Sequence, residues 1–356
     1  MFKSHCISIT LSLACLFAEA ANGQSQRSDT VGSVTNRISD QSVGDFEPDY
    51  TAICTLATLR MRALSAPSPS MDSGLDELAN ALDSDSDLMP DGRETLGLSF
   101  ALLALSEGNS SGRYDRQIRS TIRRIEQLQW TPRRKCQQDD FRFGGVGYRR
   151  VSAPDLYHTA LAIQALRQAG VPSNSPFMKR AVVFFTRCQR LDCERSASVS
   201  RNSGGFVIDP FTGRTEHPCG GLTCAGIKGL ILCGVPPTDR RIKSAAAWLS
   251  QNYTLSENPG IGDPKSRLYD YYWSFATAMN LLGRETIVDA NQIDHEWRTE
   301  LIDAIRLRQQ ADGSWANPDE SEHLRETMPF FTTSLALLTL AETLADRPDL
   351  TSSSNP

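Results

Sequence analysis

Apolar residues recur in blocks along this chain, and the blocks align with one another. Thr159-Ala-Leu-Ala-Ile-Gln-Ala-Leu166, Thr223-Cys-Ala-Gly-Ile-Lys-Gly-Leu230, Thr333-Ser-Leu-Ala-Leu-Leu-Thr-Leu340 and Leu98-Ser-Phe-Ala-Leu-Leu-Ala-Leu105 match without gaps. The first two continue alike, into Gly170-Val171-Pro172 and Gly234-Val235-Pro236. A segment at 273–283 fits with a shift of about one residue, and one at 51–58 fits more loosely. These blocks predict about six helices that are apolar nearly all round. Such helices have to be buried. Small residues at every third or fourth position let neighbouring backbones approach, and Gly-Val-Pro is a helix stop.

More polar, amphipathic stretches lie between the blocks, at 115–129, 176–190, 240–252 and 296–310. Their ends carry glutamines: Gln129, Gln189, Gln251 and Gln310. Glycine-containing loops follow: Gly144-Gly145-Val146, Gly204-Gly205-Phe206, Gly260-Ile261-Gly262 and Gly313-Ser314-Trp315. No run alternates apolar and polar residues as a half-buried strand would. Alternating apolar and amphipathic helices predict an all-α fold, an α/α toroid over 48–346. About six inner helices would be wrapped by five to six outer ones in antiparallel pairs. An open solenoid is the competing arrangement, but its helices would be amphipathic.

The ends of the chain read differently. Lys3, an apolar run at 6–17 and Ala18-Glu19-Ala20, or Ala21-Asn22-Gly23, have the form of an export signal over 1–23. A flexible leader over 24–47 and a flexible tail over 347–356 are expected from their polar composition. The expected location is the periplasm or outside the cell, with no transmembrane span. The 356 residues are 40% hydrophobic and 22% charged, enough for a sizeable core. A net charge of −5 argues against a general nucleic-acid binder. An oxidising compartment permits disulfides. Cys188 and Cys193 close one outer helix, and Cys219 and Cys224 open the next inner one. Two disulfides are expected there, with a four-thiolate zinc site as the lesser alternative.

Gln310-Ala-Asp-Gly-Ser-Trp315 has the form Gln-x-x-Gly-x-Trp and resembles the QW repeat of squalene and oxidosqualene cyclases. Asp155-Leu-Tyr-His-Thr159 is similar to the Asp-Phe-Tyr-His-Thr segment of protein prenyltransferase β subunits, whose histidine binds zinc. The repeat body resembles the toroid of those two families. It also resembles exported bacterial prenyltransferase/squalene-oxidase repeat proteins, which carry a Tyr-rich helix start like residues 269–273. The resemblance implies the fold and an apolar, isoprenoid-type ligand. The cyclases' Asp-x-Asp-Asp acid and the prenyltransferases' Asp-x-Cys zinc segment are absent from this chain.

The starts of the inner helices should ring one mouth of the toroid. His158, Tyr157, Asp155 and Asp270 are the candidate catalytic groups there, because imidazole and carboxylate exchange protons near neutral pH. Tyr271, Tyr272, Trp273, Phe206, Trp315 and Phe331 are candidate ligand-binding aromatics. Between 113 and 150, eleven Arg or Lys stand against four Asp or Glu. This basic stretch makes Arg142 and Arg149 candidates for an anionic ligand, with Arg150 beside them. Asp83, Asp85, Asp87, Asp91 and Glu94 follow the ligand order of a calcium loop, but Leu88 stands where that loop needs glycine, so a solvated acidic loop is the expectation.

Three functions follow. The leading one is a toroid holding a hydrophobic ligand in an apolar central cavity, with His158 and the 269–273 cluster at its mouth. The second is a lyase- or hydrolase-like toroid acting on an anionic glycan, with His158 or Tyr157 as base and arginines on the acidic groups. The third is a non-catalytic scaffold. No cofactor is specified by any of these patterns.

Overall fold

The computed structural model describes residues 48–62, 70–84, 94–191, 203–211, 217–262, 266–317 and 325–345. The expected signal, leader and tail lie outside them, as do Cys193, Asp85, Asp87 and Asp91. Eleven α-helices occur among the described residues: α1 (Pro48–Arg62), α2 (Ser70–Asp83), α3 (Glu94–Gly108), α4 (Asp115–Leu128), α5 (Leu156–Gln168), α6 (Pro176–Cys188), α7 (Gly220–Leu232), α8 (Arg240–Gln251), α9 (Leu268–Leu282), α10 (Trp297–Arg306) and α11 (Pro329–Leu344). Two small antiparallel pairs interrupt the loops: β1 (Val146–Gly147) with β2 (Pro154–Asp155), and β3 (Ile287–Val288) with β4 (Asp294–His295).

The odd-numbered helices form a ring. Each packs on the next from α1 to α11, and α11 returns to pack on α1. The even-numbered helices lie outside: α2 on α1 and α3, α4 on α3, α6 on α5 and α7, α8 on α7, and α10 on α11. This is the closed α/α toroid that the apolar blocks predict, and all six blocks are inner helices. The outer helix α2 was not singled out by the sequence pattern. Burial follows the division. Every residue of α7 from 220 to 230 is buried, whereas α4 buries only Thr121, Ile125 and Leu128. Small residues serve the contact between layers. A methyl group on Gly226 would strike the Phe206 ring, and one on Gly229 would strike the Phe185 ring.

The corners between outer and inner helices repeat one device. Gln129 ends α4, and its Nε2 donates to the carbonyls of Gly144 and Phe177, both at 2.9 Å. Gln189 ends α6 and does the same to Gly204 (2.9 Å) and Arg241 (2.7 Å). Each glutamine therefore ties its own loop to the start of the next outer helix and satisfies two carbonyls that closure would otherwise orphan. In the last corner Gln309 holds its own loop, its Nε2 donating to the Gly313 carbonyl at 2.9 Å. Gln310, the glutamine of the QW match, instead holds Ser314. Gln251 is exposed, and the α8–α9 corner is tied by buried Asn258, which accepts from Gly221 N and donates to the Ser266 carbonyl. The inner helices answer with threonine. Thr159, Thr223 and Thr333 accept through Oγ1 from the backbone N–H of Val146, Phe206 and Trp315 at 2.9, 3.2 and 3.0 Å.

The disulfide expectation is overturned. Among the described residues Cys136, Cys188, Cys219, Cys224 and Cys233 are free thiols, all buried, and the buried Cys54 lies 3.4 Å from the Ser334 hydroxyl. Cys219 and Cys224 stand five residues apart at one helix start, which turns their side chains to different faces. Cys188 and Cys224 are fully buried among apolar neighbours and act as small hydrophobes, and burial pushes both thiols up in pKa.

Gly204 and Gly170 both hold positive φ (97° and 86°), but a methyl group on Gly204 would overlap the Ser244 carbonyl whereas Gly170 faces open space. Gly170→Ala should cost about 1 kcal/mol for the left-handed backbone alone. Gly204→Ala should cost clearly more, about 3 kcal/mol, because backbone must also move. Urea denaturation of both variants measures this, and equal losses would show that the corner does not depend on the close approach.

Candidate functional site at the mouth of the ring

The inner-helix starts meet at one end of the ring through contacts that run from helix to helix. Asp155 caps α5: its Oδ1 accepts from His158 N at 2.9 Å, and its Oδ2 lies 2.6 Å from His158 Nδ1. A capping carboxylate three residues before a histidine therefore sets both the helix start and the imidazole. Both side chains keep partial exposure, 17% for His158 and 18% for Asp155. The Tyr148 ring meets the imidazole edge-on at 5.3 Å, and the Arg149 guanidinium lies 5.5 Å from the Tyr148 ring.

Tyr157 turns the other way, towards the neighbouring helix starts. The Arg267 guanidinium stands over its ring at 4.5 Å, and its hydroxyl fills the place where Gly221 lacks a side chain. Burial raises the Tyr157 pKa well above the ordinary value, so the phenol stays protonated at neutral pH. Arg267 precedes α9 in a left-handed conformation (φ 54°) and lies 4.0 Å from Asp270. Burial works against its charge, but a hydrogen bond to Tyr157 and the Asp270 and Asp155 carboxylates outweigh that and hold its pKa above the ordinary value. The backbone N–H of Asp270 donates at 2.8 Å to Glu326, just before α11. Asp155, Tyr157, His158, Arg267 and Asp270 thus form one connected mouth.

The aromatic candidates are distributed differently. Tyr271 and Tyr272 donate to the carbonyls of Thr254 and Leu255, and Tyr271 packs on Phe275, which abuts Trp297 of α10. Both tyrosines therefore belong to the seam between inner and outer layers. Phe206 and Trp315 are buried in the corners described above, and Trp315 Nε1 donates to the Ile305 carbonyl at 2.8 Å. Phe331 is buried in the first turn of α11. Trp273 reaches across the ring: it stacks on Phe100 of α3, the helix opposite, with ring centroids 5.9 Å apart.

The basic loop after α4 borders the mouth. Trp130 is held between Arg134 (4.1 Å) and Arg142 (4.5 Å). Arg142 also pairs with Asp140 at 2.6 Å, which holds that carboxyl down at about 2. Arg142 is therefore engaged, while Arg149 and Arg150 are exposed. Among the described residues no three His, Cys, Asp or Glu side chains are grouped to hold a metal, so Cys188, Cys219 and Cys224 do not converge on one.

Inside the ring the structure brings together groups the sequence reading passed over. Lys228 of α7 is buried; its Nζ donates to Gln164 Oε1 of α5 at 2.9 Å and stands 4.9 Å over the Trp273 ring. Burial lowers its pKa to about 8. At the far end of the inner helices, Arg60 bridges Glu342 and Gln168, and Asn280 bonds Glu342 and Arg298. A signal was present: Gln164 and Lys228 occupy the same repeat position, five residues after Thr159 and Thr223. No helix among the described residues is long and apolar enough to cross a membrane.

Comparison with family models finds no match, and comparison with curated proteins finds none either. What is shown is an all-α toroid of antiparallel helix pairs; nothing ties the chain to the terpenoid cyclases or the prenyltransferases in particular.

Lys228 gives a test of the interior. Its folded pKa of about 8 lies below the ordinary lysine value of 10.5. The charge penalty is therefore full below pH 8 and fades as pH rises towards 10.5, where the unfolded lysine also loses its proton. Lys228→Met should remove a penalty on the order of 3 kcal/mol. The stability of Lys228→Met minus that of the native chain should then fall steadily between about pH 8 and 10.5, whatever the fixed cost of the lost Gln164 bond. Urea titrations across this range check it, and a pH-independent difference would show that burial does not lower the Lys228 pKa in the fold.

Proposed function

We propose that the mouth of the toroid binds an anionic glycan and acts on it by proton transfer at His158, a lyase-type elimination. The observation that carries this reading is the His158–Asp155 pair, aligned at 2.6 Å and partly exposed beside Tyr148 and Arg149. Asp155 holds Nδ1, so Nε2 is the base. An exposed arginine, Arg149, neutralises a uronate carboxylate and makes its neighbouring C5 proton more acidic. His158 takes that proton, the electron pair forms the C4–C5 double bond, and the C4–O bond breaks. The departing oxygen takes a proton from the Tyr148 phenol. Tyr157 is a poor base for this step, because burial keeps it protonated.

The apolar-ligand expectation needed a deep greasy cavity. The Phe100–Trp273 stack spans the ring, and Lys228 and Gln164 make its interior polar, both of which weigh against a long isoprenoid chain there. The same stack favours a second reading, in which a filled ring serves as a rigid platform for another macromolecule.

Assay of the full chain on polyuronates, read as ultraviolet absorbance of unsaturated uronate, tests the leading reading. His158→Ala should lower turnover about 10²- to 10⁴-fold with folding intact, and Arg149→Ala should weaken substrate binding. No unsaturated product from the native chain, or full turnover by His158→Ala, would remove the lyase reading. Binding of the glycan without turnover, unchanged by His158→Ala, would favour the platform instead.

A further inference from the structure

We propose that the interior of the ring holds a second, separate site, in which Lys228, Gln164 and Trp273 bind a small carboxylate anion. Buried cations are as a rule paired or neutralised. Lys228 is 3% exposed and lies in contact with no carboxylate among the described residues; its nearest polar partner is the neutral Gln164. Asp270 of α9 and Glu342 of α11 act on it only through the field, against Arg60 of α1 and with Cys224 on its own helix. The Trp273 indole, 3% exposed, has its Nε1–H buried without an acceptor. Lys228 Nζ stands over that same indole, 4.9 Å from its centre, so the two donors lie within one indole's width of each other. Gln164 accepts from Lys228 through Oε1 and thereby brings its own amide N–H pair beside the ammonium.

Donor groups from α5, α7 and α9 therefore lie close together in the interior, and one of them is a cation. The complementary ligand is small, negatively charged and offers two acceptors in a plane, as a carboxylate does. Phe100, stacked on Trp273, limits its size on the side of α3. The site lies about two turns into α7, deeper than the helix starts that carry the mouth, so it stands or falls independently of the His158 chemistry.

Acetate is the probe. Titrating the full chain with sodium acetate at pH 7, with sodium chloride at equal ionic strength as the control, should give saturable quenching of tryptophan fluorescence and a rise in Tm. Apparent affinity should fall about tenfold per pH unit once Lys228 deprotonates above pH 8. Lys228→Met should abolish binding, and Gln164→Leu, which keeps the lysine, should weaken it about tenfold. Absence of saturable acetate binding by the native chain, equal binding by Lys228→Met, or an identical response to chloride would each overturn the proposal.

Discussion

A helix that is apolar on every face has to be covered on every face, and this chain contains six of them. One neighbour cannot do that. Two inner neighbours, an outer helix and material on the ring axis can, and the arrangement supplies all of these only if the last inner helix meets the first. The packing of α11 on α1 is therefore the contact on which the rest depends. Opened at that seam, α1 and α11 would each expose a face as greasy as their core. The outer helices need no such closure, since their polar faces are at home in water.

Closure also creates an inside, and what fills it decides what the ring can do. Phe100 and Trp273 come from opposite helices and meet on the axis. Beside them lie Lys228 and Gln164, and at the far end of the inner helices Arg60, Asn280 and Glu342 meet, groups that an all-apolar reading does not anticipate. The apolar wall thus encloses buried polar groups beside the aromatic stack, and the His158–Asp155 pair at the helix starts is the more exposed.

The mouth owes its geometry to the corners. A glutamine or asparagine ties each loop down, a threonine on the inner helix receives the loop backbone, and a left-handed glycine lets the chain pass a neighbouring carbonyl. Within that frame Asp155 performs two tasks at once, since the carboxylate that starts α5 also aligns His158. The buried thiols fit the same picture. They fill gaps in tightly packed layers and are held apart by helix geometry rather than joined by it.

The alternation of apolar and amphipathic stretches was enough to determine the class of fold and the number of inner helices, and it put Asp155, His158 and Asp270 at inner-helix starts. Those features depend on local periodicity and on connection order, which a linear chain carries. Direction was another matter. Whether Tyr271 and Tyr272 faced the axis or the outer seam, whether Gln309 or Gln310 tied the last corner, and whether Cys219 and Cys224 joined or diverged each turned on about a hundred degrees of rotation per residue about a helix axis. Where nearly every residue of a helix is apolar, the sequence carries no moment to set that rotation. Only packing against five other helices did so, and it was that packing which turned Lys228, Gln164 and Trp273 toward one another.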